Sequence, residues 1–438
     1  MKLGRLVLLL LTPATAVFSQ ESTSKARQAK ADPLTLKAAV EAALERNPAI
    51  KSARAKWDSA RQRIVQEGAW EDPKLSFNTL LGRFVEVPAN SFMDQALTVE
   101  QMIPLSGKNR SKERIAASEA VASFEDFRRQ QLDVISKTKA SYFQLTNTYS
   151  LLDLNDQEEA TLAQTLDATK AKFEVGTQSQ ADYLTTQVER QKIIETRRDL
   201  EQKLSDEQTK LKVLMNQDPF SPLSRPVLND TETYDLSAER LRRLILANRP
   251  EVRQAQVMVT EASEKIRLAK RQWVPDPSVN LQAEHYNAGS QAVSELSAGF
   301  SIDLPWFNGK KYRAGELEAQ SDLVAAQKSL EGTQTEALGM LRDQLEKIET
   351  IHHHIELYRG QLLPTARQTV SSYQADYETN KSTLIQILTA ENSLRDLETM
   401  YNQDLTDYRV AIAELESMVG SDLSKTGPSS QRAHHETK

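Results

Sequence analysis

The chain has 438 residues, with 55 basic against 61 acidic side chains and a net charge of −6, so it lacks the basic excess that holds nucleic acid. It contains no cysteine, which excludes disulfide frameworks, thiolate metal sites, thiol catalysis and a lipidated N-terminal cysteine. Only 14 glycines and 15 prolines interrupt it, and no apolar run after the N-terminal segment approaches the ~20 residues of a spanning helix; a membrane crossing would have to be a β-barrel.

Residues 1–19 read as a secretory signal. Lys2 and Arg5 form the charged start, Leu6 to Leu11 the apolar run, and Ala14-Thr15-Ala16 a small-residue cleavage site, with Ser19 as an alternative cut. Residues 20–33 are a polar leader. A helical pattern starts at Thr35, breaks at Asn47-Pro48 and resumes to about Trp70. Pro73 then imposes an extended backbone on the residue before it.

From Leu75 the period changes to two. Leu75, Phe77, Thr79, Leu81, Val85 and Val87 share one face, and Lys74, Ser76, Asn78, Gly82 and Glu86 the other. After a turn at Pro88-Ala89-Asn90, Met93, Leu97, Val99 and Ile103 alternate with Asp94, Thr98 and Glu100. This predicts a hairpin over 73–103 with strands of roughly 11–14 residues. Such strands suit a tilted bilayer crossing; alternation alone fits a half-buried soluble hairpin equally well.

Residues 107–173 hold no proline and no internal glycine, which predicts one helix roughly 100 Å long. Ile135, Tyr142 and Tyr149 recur at sevens with Leu145 and Leu152 between them, as in a coiled coil. Gly176 ends this helix. A second follows over 180–216, with Leu200, Leu204, Leu211 and Leu214 as its stripe.

The chain then says nearly the same thing again, about 200 residues on. Leu36-x-x-Ala39-Val40 with Asn47-Pro48 is answered by Leu241-x-x-Leu244-Ile245 with Asn248-x-Pro250, and Asp72-Pro73 by Asp276-Pro277. Ile103-Pro104-Leu105-Ser106-Gly107-Lys108 is answered by Leu304-Pro305-Trp306-Phe307-Asn308-Gly309-Lys310. Phe173-Glu174-Val175-Gly176 is answered by Tyr377-Glu378-Thr379-Asn380. Repeat 1 therefore covers 34–217 and repeat 2 covers 236–420, joined by a proline-rich linker, 218–235. Repeat 2 holds a hairpin over 277–304, a long helix over 311–378 with Pro364 inside, and a helix over 383–419. Residues 421–438 read as a disordered polar tail. The predicted fold class is mainly α with a β-barrel portion: a tandem-repeat protomer of long coiled-coil helices and four strands.

Helix, hairpin, very long helix, tight turn and shorter helix, twice over behind a signal, resembles the TolC-type outer-membrane efflux family across residues 34–420. The specific marks are Asn47-Pro48 and Arg249-Pro250, the Pro104 to Lys108 exit, and Phe173 with Gly176 and Asp182. The resemblance implies a homotrimer whose strands close one 12-stranded barrel in the outer membrane of a Gram-negative-type bacterium, above a helical periplasmic tunnel. It implies a periplasmic adaptor and an inner-membrane pump as partners, lipid around the barrel, and a passive duct rather than an enzyme, with no cofactor. It places the two helix turns at a closed tip, with Phe173, Gly176, Asp182, Tyr377, Asn380, Lys381 and Gln386 as gate candidates. The family often has an arginine where Ser382 stands, and an acidic ring where Gln386 and Thr389 are neutral. The strand residues predicted to touch lipid are Phe77, Leu81, Val85, Leu97, Val99, Phe300 and Ile302.

His352-His353-His354 does not read as a metal site, because consecutive helical residues point ~100° apart. The Pro104 to Lys108 exit is similar to the branch that serves heavy-metal cation pumps, which adds metal cations to small molecules as cargo. The alternatives are a secretion duct for polypeptides and a periplasmic coiled-coil adaptor. An adaptor should carry one helical hairpin rather than two.

Overall fold

A computed structural model describes residues 33–81, 93–227, 234–286, 292–379 and 381–423. The signal, the leader to residue 32, Val85, Asn380 and both predicted strand turns lie outside these residues.

Helix α1 (Leu36–Arg46) begins where the Thr35 hydroxyl accepts the Ala38 N–H. It ends at Asn47, whose side chain accepts the Ala49 N–H and so starts α2 (Pro48–Gly68), with Pro48 at its first turn. One Asn-Pro pair thus closes one helix and opens the next. The Asn47 amide also donates to the Leu214 carbonyl, 2.9 Å away. In the second repeat α5 (Ala238–Asn248) and α6 (Pro250–Arg271) meet at Arg249, without a side-chain cap.

Helix α3 (Lys108–Glu174) runs for 67 residues, about 100 Å, and α4 (Gln180–Leu214) returns along it. In repeat 2, α7 (Gly309–Leu357) passes through one π-helical turn, Tyr358–Leu362, into α8 (Leu363–Glu378). The sequence predicts one α-helix over 311–378, and the difference has a cause. Pro364 lacks an N–H and its ring crowds the carbonyl four residues back; the widened turn ahead of it relieves both. Helix α9 (Leu384–Val419) completes the repeat.

The seam of α3 also differs from the apolar one expected. Thr148, Asn155, Leu162 and Thr169 lie seven apart and are all buried, whereas Ile135 and Leu152 are only half-buried. The polar members are satisfied: Asn155 donates to the Ile193 carbonyl at 3.2 Å, and Thr169 to the Thr165 carbonyl at 2.8 Å.

Each repeat has its own core. Ala39, Ala43, Ile50, Val134, Tyr142, Leu145, Leu211 and Met215 pack α1 and α2 against α3 and α4. Leu241, Ile245, Val252, Leu341, Ile348, Ile412, Leu415 and Val419 do the same for α5 to α7 and α9. Leu423 joins that second core at 1% exposure, and its N–H donates to Glu416. The predicted disordered tail from 421 is therefore corrected: residues 421–423 are anchored by one leucine.

Strands β1 (Lys74–Thr79), β2 (Met93–Met102), β3 (Pro277–Tyr286) and β4 (Glu295–Ile302) form one antiparallel sheet in that order. Their described lengths of 6, 10, 10 and 8 residues are shorter than the 11–14 expected. Cross-strand register places Phe77, Leu97, Ala283 and Leu296 in one row and Leu75, Val99, Leu281 and Ala298 in the next. β1 and β4 are open edges.

Candidate functional site

Both ends of the molecule carry candidate residues. At the sheet end, burial is the reverse of a soluble sheet. The apolar face is bare: Phe77 is 61% and Phe300 66% exposed, and Leu97, Val99 and Ile302 are exposed too. Leu81, just past β1, is almost wholly exposed. The opposite face is partly covered on the two central strands, with Ala96 buried and Asn280, Gln282 and Glu284 half-buried, while Ser76, Asn78, Ser297 and Ser301 on the edge strands are exposed. A monomer in water would not hold so large an apolar surface on its outside.

Where β2 leaves the sheet the chain is locked to the start of β3. Ser106 donates to Asp276 through both its N–H and its hydroxyl, each at 2.8 Å. The Lys108 ammonium sits 3.0 Å from the same carboxylate, which is 8% exposed. Burial raises the Asp276 pKa, but the Ser106 and Lys108 hydrogen bonds outweigh it and hold the carboxyl below its usual range. Gly107 adopts φ +70°, and a Cβ there would fall 1.9 Å from Arg271 Nη1, which donates to the Gly107 carbonyl at 2.6 Å. The sequence offered the paired landmarks, Asp-Pro and Gly-Lys, but not that they close on each other across the repeats.

At the other end the two helix turns share one backbone pattern. The N–H groups of Thr177 and Gln178 both donate to the Lys172 carbonyl; those of Lys381 and Ser382 both donate to the Asp376 carbonyl. Gly176 is left-handed, φ +76°. Ser179 then caps α4 by accepting the Asp182 N–H, and Thr383 forms a capping box with Gln386 for α9. Asp182 and Gln386 are therefore both engaged in helix caps. Asn380 lies outside the described residues, and Lys381 is exposed.

The turns also touch. The Tyr377 hydroxyl donates to Gln178 Oε1 at 2.9 Å, and Gln178 Nε2 donates to Asp182 at 2.7 Å. Lys172 Nζ lies 4.1 Å above the Tyr377 ring, and Phe173 stacks on Tyr183 at 6.1 Å between centroids. Burial, with help from Asp182, raises the Tyr377 pKa. Gln178 and Lys172 were missed in the sequence; nothing in their spacing marks them, since their partner comes from the other repeat.

Behind the tip a cavity of about 230 Å³ is lined by Leu154, Glu158, Leu162, Leu388, Glu391 and Arg395 among others. Burial pushes Glu158 up to about 7, partly offset by Arg395 and reinforced by Glu398, Asp396 and Glu391. Burial raises Glu391 as well, against its Gln374 hydrogen bond. The histidines diverge as expected: His352 faces Glu356 and Tyr408, and His354 faces Asp404 at 3.7 Å.

The sequence of TolC from Escherichia coli is 20% identical over 399 residues, covering 86% of this chain and 80% of TolC. A toluene efflux pump outer membrane protein of Pseudomonas putida is 25% identical over 244 residues, 54% of this chain and 49% of its own. The crystal structure of VceC, an outer membrane protein of Vibrio cholerae, superposes with a TM-score of 0.75 at 17% identity, covering 89% of this chain and 96% of that one, which establishes the shared fold. The model of the family described as outer membrane efflux protein matches residues 39–217 and 241–421, the two repeats in turn. The chain belongs to the outer membrane efflux protein family: it is a channel subunit of the outer membrane that works as a homotrimer with a periplasmic adaptor and an inner-membrane pump.

Proposed function

We propose that this subunit acts as a passive duct with a lipid-facing sheet at one end and a closing tip at the other. The observation that carries the reading is the bare apolar face on an open four-stranded sheet. A bilayer tolerates no open strand edge, and three copies of the sheet remove every edge by closing a twelve-stranded barrel. Phe77, Leu81, Leu97, Val99, Phe300 and Ile302 then meet lipid; Val85, expected with them from the sequence, lies outside the described residues. The opposite face, with Asn280, Gln282 and Glu284, lines the water-filled bore. At the tip, Tyr377 ties the two turns together through Gln178 and Lys172, while Phe173, Gly176, Asp182 and Gln386 shape the turn each belongs to; with the exposed Lys381, these hold the periplasmic entrance shut, and Asn380 lies outside the described residues. No step of this work makes or breaks a covalent bond.

The cargo is small molecules or metal cations. Within the Pro104 to Lys108 exit, which carries the likeness to the heavy-metal branch, Ser106 and Lys108 are engaged by Asp276 and so bear on assembly rather than on what passes through. The toluene-pump relative supports small apolar molecules. Mass measurement in detergent should give three chains, and planar-bilayer recording should give a pore; a folded, monodisperse monomer would sink the duct. A deletion strain challenged with organic solvents and with metal salts divides the cargo classes.

A further inference from the structure

The Asp276 lock joins the start of β3 to the exit of β2, two strands that are neighbours in the sheet. Its landmarks occur twice in the sequence, but the second set does not meet inside the chain. Asp72 precedes β1, and Asn308-Gly309-Lys310 follows β4, at opposite edges of the sheet. Three strand spacings, about 14 Å, separate those edges, too far for an ion pair. Asp72 and Lys310 are both exposed, and neither side chain has a hydrogen bond or ion pair among the described residues.

The geometry points to a second lock of the same kind between copies of this chain: Asp72 of one copy closes on Asn308 and Lys310 of the next. This rests on the trimeric duct reading, in which β4 of one copy pairs with β1 of its neighbour as β2 pairs with β3 within the chain. The Ile103 N–H to Pro277 carbonyl bond, 2.8 Å, is then the pattern for Leu304 N–H to the Pro73 carbonyl of the adjoining copy. Charge favours the pairing on balance, with Lys74 on the β1 side and Asp303 on the β4 side as the exposed exceptions. Glu67, Glu71 and Asp72 line the β1 edge, with Glu67 at the place in α2 that Arg271 holds in α6. Lys310, Lys311 and Arg313 line the β4 edge, all exposed. The second exit also carries Trp306 and Phe307, 56% and 83% exposed, where the first has the single Leu105. A neighbouring chain seated on this edge covers them.

The chain has no cysteine, so Asp72→Cys with Lys310→Cys supplies its only two thiols. Treated with a short bis-maleimide in membranes, this variant should give covalent dimers and trimers on a denaturing gel. The control, Lys108→Cys with Asp276→Cys, should react within one chain and run as a monomer. Charge reversal is the second arm. Asp72→Lys and Lys310→Asp should each lower the temperature at which the trimer dissociates in detergent, and the two together should recover most of the loss. A protein that weighs three chains, reacts in the control pair, yet gives no linked chains from the edge pair overturns the lock and leaves the duct standing. Additive losses in the doubly reversed variant also overturn the lock. A monomer by mass overturns the duct reading and the lock together.

Discussion

The two ends of this protomer treat their surfaces in opposite ways. At the tip the ends of α3, α4, α8 and α9 bury Leu162, Ile193, Leu384 and Leu388 together and cap the helix starts with Ser179 and Thr383. At the sheet, Phe77, Leu97, Val99, Phe300 and Ile302 stand bare and both edge strands are open. Val175 and Ile385 are bare at the tip as well, but its two turns are joined within one chain, whereas on the proposed reading the sheet meets lipid on one face and other copies at both edges. Substitutions at the sheet should therefore act through insertion and assembly, and those at the tip through local closure alone.

The largest expected effect tests the sheet half of that contrast. Leu97→Arg or Phe300→Arg should each cost roughly 2–4 kcal/mol if the side chain sits near the bilayer midplane, and should remove most of the trimer from the membrane fraction. In a soluble sheet the same exposed positions would accept arginine with little change. Wild-type amounts of membrane trimer would show that this face does not meet lipid.

A smaller effect is expected at the turn. Gly176 has φ +76° and open space around it, so a side chain meets no neighbour and the cost is one of backbone conformation. Gly176→Val should strain the turn by ~1–2 kcal/mol, raise channel leak and leave the trimer intact; Gly176→Asn should be nearly silent. Smaller again, Tyr377→Phe removes the hydroxyl bond to Gln178 while keeping the ring beneath Lys172, and should loosen the tip by about 1 kcal/mol. Single-channel conductance and thermal dissociation of the trimer separate the two readouts. A fall in trimer stability with either tip variant would break the proposed independence of the ends.

Much of this architecture was readable before any coordinates, and the part that was not has a common cause. Repeat order, helix lengths and the alternating strands follow from periodicity and from where glycine and proline fall. The facing of the α3 seam did not, because Thr148, Asn155 and Thr169 are buried polar residues whose hydrogen bonds run to backbone carbonyls of their own helix or of α4. A hydropathy pattern cannot register a threonine that satisfies itself. Pro364 was visible, but the sequence does not say whether it kinks the helix or widens one turn. The contacts that join the repeats, Asp276 to Ser106 and Tyr377 to Gln178, link residues that are far apart in the chain, and spacing is silent about such pairs.

The finest division lies within the tip half itself, between its capped turns and the charged cavity behind them. Glu158 of α3 faces Arg395, Asp396, Glu398 and Glu391 of α9, with Glu189 of α4 and Gln374 of α8 completing the lining. Burial lifts it from the usual glutamate value of 4.5 to about 7. The folded protein then holds this proton more tightly than the unfolded chain does. Its stabilising contribution is complete below 4.5 and is lost as pH rises through about 7. Glu391 shifts in the same direction. Packing of α8 and α9 on α3 and α4 should accordingly tighten between pH 7.5 and pH 5. Amide-exchange protection factors in α9 near Glu391, corrected for intrinsic rates, should rise over that interval. Glu158→Gln, which keeps the shape and cannot ionise, should remove the larger part of this pH dependence in α9 and leave only the part due to Glu391, with no change at the sheet. Equal pH dependence in wild type and Glu158→Gln would assign the effect to another group and leave the cavity a packing defect between the two coiled coils.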